Sequence, residues 1–344
     1  MSLGSNSIVV GFAVLLFAGL CQGSFGLGYK DYKPYTWEAF WGIYSLFCIL
    51  VPLGWAVYQV PGFLQYIGNA ETKHVWIPVL CGTLWGISAI GFSKAVTYIG
   101  ISLVYGLSMG ISAVVGSIVP LITMKNKPEM MSLVLLGIGM VVTLGGIALI
   151  TKAGIVKTKE QQENGKMDGD NTQKGKAKIG LILAMLSGLG SGAMNIGFDF
   201  ASPIGDAIMK DGFGEIGASA IQWLFVLCGG AIASMLYCCI ELTKKKTWNS
   251  YTKQGSGKRV IVLFITSIVW FAALASYGIS TLLLGDMGSV TGWILFNALA
   301  LLISNLWGIR CQEWKGANKG KAILLRGNLV LLLSWVFIGI SNAV

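Results

Sequence analysis

The chain has 344 residues, of which 54% are hydrophobic and 12% are charged, and its formal net charge is +10. A soluble domain carries about twice that charged fraction, so the composition excludes an ordinary soluble protein and indicates a chain that lies mostly in a bilayer. The basic excess does not point to nucleic acid, because it falls in loops between apolar segments, where it faces anionic lipid.

Ten segments of mostly apolar residues follow one another along the chain, each near the roughly 20 residues needed for one helical crossing. They cover residues 8–27, 39–58, 75–93, 99–124, 130–150, 179–198, 216–240, 260–284, 288–309 and 323–343. We interpret the first as a retained helix rather than a cleaved signal peptide. No basic residue precedes it, and its apolar run is longer than the apolar region of a typical signal peptide. The sequence therefore predicts an all-α, polytopic membrane protein with ten transmembrane helices.

The basic residues between these segments fall almost entirely in alternate loops. Twenty lie in the odd-numbered loops, whereas the even-numbered loops hold only Lys73, Lys125, Lys127 and Lys210. By the positive-inside rule, the odd-numbered loops are cytoplasmic and both termini face the non-cytoplasmic side.

Residues 151–178 differ in composition from their surroundings, since they are rich in Lys, Glu, Gln, Asn, Asp and Gly. We predict a flexible cytoplasmic linker there, between two five-helix halves at 1–150 and 179–344. Because five is odd, the second half crosses the membrane in the opposite sense, as in the inverted repeats of many secondary transporters. Short hairpins around Tyr98 and Asp286 occupy equivalent places in the two halves.

Four GxxxG pairs lie inside the apolar segments and predict close packing of helix backbones in lipid. They are Gly19 with Gly23, Gly82 with Gly86, Gly106 with Gly110, and Gly188 with Gly192. The last pair loosely resembles a nucleotide-binding loop, but no strand precedes it, so we interpret it as a packing surface.

Asp199 ends the sixth segment, one helical turn after Asn195 and shortly before Pro203. An ionisable group in hydrocarbon needs a partner or a function. If the helix continues to Pro203, the missing proline amide leaves an acceptor beside this carboxylate. Asp199 and Asn195 are suited to binding a proton or sugar hydroxyl groups. The alternative is that Asp199 caps the helix end in water. The sequence leaves both interpretations open.

Glu38 lies between Trp37 and Trp41 at the start of the second segment. The two tryptophans, at i and i+4, share a helix face. Their more common use is an aromatic belt at the membrane interface. The second interpretation is a sugar site, in which an indole covers the apolar sugar face beside a carboxylate that binds hydroxyls. Glu38 and Asp199 are therefore the two candidates for proton coupling.

Other amides and tryptophans lie deep in the segments, where they either join helices or line a cavity. The candidates for substrate binding are Trp37, Trp41, Trp85, Asn195, Gln222, Trp270, Trp293 and Asn297. The single histidine, His74, falls in a loop and is expected to be solvated.

No catalytic constellation is evident, since HExxH and Walker A sequences are missing from the chain and it has one histidine for acid-base chemistry. We therefore expect no enzyme activity, no cofactor and no transport powered by ATP on this chain. The seven cysteines contain no CxxC pair, which argues against a metal site or a disulfide framework.

Several short stretches, none of them specific alone, occur in a recognisable order over nearly the whole chain. They are Trp37-Glu-Ala-Phe-Trp41, Trp85-Gly-Ile87, Tyr98-Ile-Gly-Ile-Ser102, Gly180-Leu-Ile-Leu-Ala184, Ser191-Gly-Ala-Met194, Trp293 and Glu313-Trp314. In these stretches the chain resembles the L-rhamnose-proton symporter family, a branch of the drug/metabolite transporter superfamily. Asp199 and Lys94 depart from the family pattern. Some members carry asparagine where this chain has Asp199, and Lys94 is particular to this sequence.

The resemblance implies uptake of a six-carbon deoxy sugar with a proton across the cytoplasmic (inner) membrane. The residues themselves leave open the exact sugar, proton or sodium coupling, and the oligomeric state. An exporter of another small molecule and a membrane sugar sensor without turnover are the alternatives.

Overall fold

The computed structural model describes residues 5–29, 33–124, 126–164 and 177–343. Within these ranges the regular structure is helical and contains no strand. Ten of the helices are long and apolar enough to cross a bilayer. The chain is an all-α, multi-pass membrane protein with ten transmembrane helices, as the sequence predicted.

Twelve α-helices follow one another in the described ranges. They are α1 Ser5–Ser24, α2 Trp37–Gln59, α3 Leu64–Asn69, α4 Thr72–Ile99, α5 Ile101–Thr123, α6 Met130–Glu163, α7 Ala177–Phe200, α8 Ser202–Lys210, α9 Gly214–Lys245, α10 Ser256–Leu283, α11 Gly288–Arg310 and α12 Asn318–Ala343. The short helices α3 and α8 were not predicted, and each is too short to cross a membrane.

Helix α6 continues well beyond its predicted end at residue 150. It reaches Glu163, so the first part of the predicted linker is helical. The rest of that linker, 165–176, lies outside the described residues. The prediction treated polar composition as evidence against structure, but these polar side chains have specific partners.

The partners of the polar end of α6 lie around the start of α12. Glu160 accepts hydrogen bonds from the backbone N–H groups of Lys319 and Gly320, at 3.2 and 2.9 Å. The Lys157 ammonium lies 4.8 Å from the centre of the Trp314 ring. The first turn of a helix has N–H groups without intrahelical acceptors, so the Glu160 carboxylate caps α12 from a neighbouring helix.

The chain divides into two compact units. The first unit comprises Met1–Ile87 and Ala193–Leu283, and the second comprises Ser88–Gly192 and Leu284–Val344. The boundaries fall inside α4 and α7. Each unit therefore contains residues from both predicted halves, and the arrangement of two inverted halves stays a prediction.

In the first unit, α2 packs along α9 and α1 packs along α10. The N-terminal part of α4 also approaches α9 very closely. A Cβ atom added to Gly82 would lie 1.8 Å from the Val226 carbonyl oxygen, and one added to Gly86 would lie 2.2 Å from that of Gly230. Since only glycine allows this approach, the close packing predicted for this GxxxG pair is confirmed.

One end of the first unit carries the two short helices. Val60, Tyr66, Ile208 and Ile221 belong to a buried apolar cluster formed by α2, α3, α8 and α9. The Tyr66 hydroxyl donates a hydrogen bond to the Asp211 carboxylate. This cluster holds α8 against α9, directly after the end of α7.

In the second unit, α6 packs most extensively on α12, and α5 packs on α6 and α11. The predicted glycine pair on α7 lies against α5. A Cβ atom on Gly188 would lie 2.9 Å from the Ser108 carbonyl oxygen, and one on Gly192 would lie 3.0 Å from the Gly116 nitrogen. This pair is a packing surface, as the sequence indicated.

The two shortest connections between the described spanning helices each contain a glycine with positive φ. Gly100, with φ of 80°, is the single residue between α4 and α5, and Gly285, with φ of 72°, follows α10. A left-handed backbone favours glycine, which explains these residues. Tyr98, predicted to lie in the first hairpin, belongs to the last turn of α4.

Candidate functional site

The end of α7 brings a carboxylate and an amide beside a phenol of α10. The Tyr277 hydroxyl donates a hydrogen bond to Asn195 Oδ1. Asp199 lies one helical turn after Asn195 on α7 and contributes to the electrostatic environment of the same phenol. Asn195 and Tyr277 are fully buried, whereas Asp199 is partly exposed. The three side chains, here called the Asp199 cluster, lie within the first unit.

Helix α9 packs against this cluster with an aromatic ring and an amide. The Trp223 ring stacks on Phe198 with a centroid distance of 4.8 Å and lies 6.0 Å from the Tyr277 ring. Gln222 Nε2 lies 3.4 Å from the Phe198 carbonyl oxygen. The buried atoms Gln222 Oε1 and Trp223 Nε1 have no hydrogen-bond partner among the described residues. These two polar atoms are suited to a ligand or water.

The single histidine fixes the end of α7. His74 Nδ1 lies 2.7 Å from the carbonyl oxygen of Phe200, the last residue of that helix. The expectation of a solvated loop histidine was wrong, because His74 is half-buried in the first turn of α4. Helix α7 ends before Pro203, which lies in the first turn of α8, where a proline is well tolerated.

A continuous aromatic row crosses the first unit from α2 through α10 to α4. Trp37 and Trp41 have ring centroids 6.1 Å apart, and Tyr44 continues the same face of α2, 5.4 Å from Trp41. Trp270 lies 6.1 Å from Tyr44 and stacks on Trp85 at 5.4 Å with an interplanar angle of 19°. Four predicted substrate residues are therefore brought together, and Tyr44 was missed.

Glu38 lies next to this row, but its carboxylate is already bound on both oxygens. Thr247 Oγ1 donates to Oε1 at 2.7 Å, and Lys245 Nζ lies 3.4 Å from Oε2. The Glu38 side chain is only 4% exposed, whereas that of Lys245 is 51% exposed. Lys245 also lies 3.2 Å from Glu241. The Glu38 ion pair thus attaches the start of α2 to the end of α9, and the sequence indicated neither partner.

Two tyrosines outside the spanning segments have surroundings that disfavour an ionised phenol. Burial raises the pKa of Tyr251 to about 12, and the Tyr251 hydroxyl donates to the Ala39 carbonyl oxygen at 3.3 Å. Burial also raises the pKa of Tyr35, whose hydroxyl donates to the Ser256 carbonyl oxygen at 2.8 Å. In such surroundings the pairing between Glu38 and Lys245 is screened less than at an open surface.

The remaining two predicted substrate residues lie in the second unit. Trp293 Nε1 donates to the Ser112 carbonyl oxygen at 3.0 Å, which joins α11 to α5. Asn297 Nδ2 donates to the Trp293 carbonyl oxygen at 2.8 Å, within α11. Asn305 donates to Asn328 at 2.9 Å and bridges α11 and α12. Trp293 and Asn297 belong to a different unit from the Asp199 cluster and the aromatic row, and their role in binding stays a prediction.

Ten spanning helices, with a carboxylate, amides and a row of aromatic rings on the helices of the first unit, are typical of a membrane transporter of the secondary class, since polar groups within spanning helices mark substrate and ion paths. Comparison with known families agrees. The model of the L-rhamnose-proton symport protein (RhaT) family matches residues 4–344, and the chain belongs to that family.

Curated relatives match over nearly their full length. The L-rhamnose-proton symporters of Yersinia pestis (strain Pestoides F) and Yersinia pseudotuberculosis serotype O:1b (strain IP 31758) are each 26% identical over 355 residues. The alignment covers 98% of this chain and 99% of each relative. The L-rhamnose-proton symporter of Yersinia pestis bv. Antiqua (strain Antiqua) is 27% identical over 358 residues, with the same coverage.

Proposed function

We propose that this protein imports L-rhamnose, or a closely related deoxy sugar, together with a proton across the cytoplasmic membrane. Family membership and the names of the relatives support this substrate and this ion. The observation that carries the proposal is the Asp199 cluster, in which a carboxylate lies beside a buried amide and phenol within spanning helices. We further propose that both termini face the non-cytoplasmic side, in line with the loop charges.

Asp199 is the proposed proton-carrying group. Its neighbours Asn195 and Tyr277 are neutral hydrogen-bonding groups, which fit both the charged and the protonated carboxyl group. Glu38 has a less suitable environment, because the Lys245 ammonium and the Thr247 hydroxyl both favour the ionised carboxylate over the protonated one. Glu38 is therefore proposed to keep its charge and to hold α2 on α9.

The aromatic row and the nearby amides form the proposed sugar site. The faces of Trp37, Trp41, Trp85 and Trp270 suit the apolar face of a deoxy sugar, whose methyl group and ring C–H groups need apolar contact. The amides of Asn195 and Gln222 suit its hydroxyl groups, because an amide both donates and accepts hydrogen bonds.

Alternating access through two inverted halves is the proposed transport mechanism. Among the ten spanning helices, α2 and α9 are the second and seventh crossings, and α6 and α12 are the fifth and tenth. The helices of each pair pack on each other. These are equivalent helices if the chain is an inverted repeat of five crossings. The hairpin glycines Gly100 and Gly285 also occupy equivalent positions. Both observations support the repeat.

Uptake of radiolabelled L-rhamnose into proteoliposomes tests the proposal directly. An inward proton gradient is expected to drive accumulation of about tenfold per pH unit for one proton per sugar, since a pH unit is worth about 1.4 kcal/mol. An imposed sodium gradient without a proton gradient is the control and is expected to give no accumulation. Equal uptake with and without the proton gradient would contradict proton coupling. Efflux of another metabolite without L-rhamnose uptake would favour an exporter.

A further inference from the structure

We propose that the exposed face of α9, near the C-terminal end of the helix, binds one anionic phospholipid, with its phosphate at Lys244 and an acyl chain along Leu236 and Ile240. An open groove of about 390 Å³ lies on this face. Its lining residues are Leu236, Cys239, Ile240, Thr243 and Lys244. The groove belongs to the first unit and shares no residue with the Asp199 cluster or the aromatic row.

The spacing of the lining residues makes them one continuous stripe. Leu236, Ile240 and Lys244 follow one another at i, i+4 and i+8, and therefore lie on one face of the helix. Leu236 is 58% exposed and Ile240 is 51% exposed. The opposite face contacts α2, since Cys238 is buried and a Cβ atom added to Gly42 would lie 3.6 Å from Cys238 Cβ. The stripe thus faces away from α2 and is open to lipid.

The stripe matches a phospholipid in length and in the order of its polarity. Helix α9 is one of the spanning helices and ends at Lys245, so Lys244 lies at the membrane surface. From Leu236 to Lys244 the helix rises about 12 Å, at about 1.5 Å per residue. The hydrocarbon of one leaflet is about 15 Å deep, half of a typical bilayer core. An acyl chain along Leu236 and Ile240 therefore brings its headgroup to the level of Lys244.

The positive charge of Lys244 is not neutralised by the protein, because the ion pairs at this end of α9 involve its neighbour. Lys245 Nζ lies 3.4 Å from Glu38 Oε2 and 3.2 Å from Glu241 Oε2. Among the described residues, no carboxylate forms an ion pair with Lys244 or Lys246. A lysine ammonium binds phosphate as a point charge, and anionic lipids attract basic segments beside a spanning helix. Charge complementarity therefore favours an anionic headgroup.

An exposed tryptophan is fixed beside the groove at the level of the headgroup. Trp248 Nε1 donates a hydrogen bond to Thr243 Oγ1, a lining residue, at 3.2 Å. The Trp248 ring also lies 6.0 Å from the Tyr251 ring, whose hydroxyl donates to the Ala39 carbonyl oxygen. Tryptophan favours the membrane–water interface, where its apolar ring and polar N–H are both satisfied. The loop after α9 thus holds an indole next to Lys244 at the depth where a lipid headgroup lies.

Thermal unfolding in detergent with added phospholipid tests the site, because a molecule that binds the folded state stabilises it. Phosphatidylglycerol is expected to raise the Tm of wild type by about 2–4 °C more than phosphatidylcholine. Lys244→Gln is expected to lose most of this difference, while its Tm in phosphatidylcholine stays near that of wild type. A lysine that only complements the helix dipole would instead lower Tm equally in both lipids, and that result would overturn the proposal.

Lys253→Gln is the matched control, since it removes the same charge from an exposed position in the loop that follows α9. It is expected to keep the wild-type difference between the two lipids. Equal losses in Lys244→Gln and Lys253→Gln would overturn the proposal, because they would reflect the total loop charge rather than one site. Glycerol 3-phosphate, which has the phosphate without acyl chains, is expected to leave Tm unchanged. A rise equal to that with phosphatidylglycerol would indicate a phosphate site and overturn the lipid assignment.

A second variant tests the apolar part of the groove and decides the question if Lys244→Gln fails to reach the membrane. Ile240→Ser keeps every charge but removes apolar contact with the acyl chain. The phosphatidylglycerol concentration that gives half of the Tm rise is expected to increase about fivefold. An unchanged concentration would overturn the proposal. These measurements need no transported substrate, so their outcome is independent of whether the protein imports L-rhamnose.

Discussion

Glu38 and Asp199 belong to the same unit, yet their surroundings differ in kind. Glu38 is bound by a hydroxyl and a lysine that hold it as an anion at the junction of α2 and α9. Asp199 lies beside a neutral amide and a neutral phenol at the junction of α7 and α10. The comparison teaches that burial alone does not identify a proton carrier. The neighbours must tolerate both protonation states.

The largest effect is expected from removing the charge at residue 199. Asp199→Asn keeps the shape and the hydrogen bonding of the site but cannot release a proton. We expect proton-driven L-rhamnose accumulation to fall from about tenfold per pH unit to none, while counterflow exchange persists. Uptake and counterflow in the same proteoliposomes measure both.

Glu38→Gln is the matched control for this substitution, because it neutralises the other carboxylate that was a candidate for proton coupling. It is expected to retain accumulation. The opposite result, with coupling lost in Glu38→Gln and kept in Asp199→Asn, would reverse the assignment of the two carboxylates. Coupling kept in both variants would refute both assignments.

A second experiment tests whether Glu38 is held mainly by its ion pair. Lys245→Met leaves a buried carboxylate without its cation and is expected to cost about 2–4 kcal/mol of stability. Glu38→Gln leaves a half-exposed lysine that still has Glu241, and is expected to cost about 1 kcal/mol. Thermal unfolding in detergent compares the variants. The double variant should recover most of the Lys245→Met loss, and simple additivity would show that the two side chains are not coupled.

The aromatic row offers a third, smaller effect, on the sugar rather than the proton. Trp270 is 4% exposed and lies between Tyr44 and Trp85. Trp270→Phe keeps an aromatic face but reduces its area, and we expect KM for L-rhamnose to rise about three- to tenfold, as for loss of about 1 kcal/mol of stacking. Its pH dependence should be unchanged. Trp76→Phe, at a 59% exposed position, is the control, and an equal rise there would remove the row from the site.

The sequence predicted the spanning helices well, because the length and apolarity of a segment directly reflect bilayer thickness. It also placed Asn195 with Asp199, and Trp37 with Trp41, because residues at i and i+4 share a helix face whatever the tertiary structure. Those pairs are local. Nothing beyond the helix itself was needed to predict them.

The partners of the two carboxylates were not predicted, because they come from distant parts of the chain. Tyr277 is 82 residues from Asn195, and Lys245 is 207 residues from Glu38. A spanning helix that is apolar on most sides does not reveal from its pattern which face turns towards a neighbour. The tyrosine nonetheless left one usable signal, since a phenol in an apolar segment needs a hydrogen-bond partner.

The smallest effect is expected at a third carboxylate, Glu160, which lies in the second unit. It holds one helix on another and has no proposed part in proton coupling. Within the described ranges, its hydrogen bonds go to the backbone N–H groups of Lys319 and Gly320 at the start of α12. Glu160→Gln keeps one acceptor oxygen and loses the charge that favours a helix N-terminus, so we expect a loss of about 0.5–1 kcal/mol. Thermal unfolding should detect it, while L-rhamnose accumulation stays at the wild-type level. A coupling defect in Glu160→Gln would mean that carboxylates outside the Asp199 cluster also take part in proton transfer, and the contrast drawn with Glu38 would no longer hold.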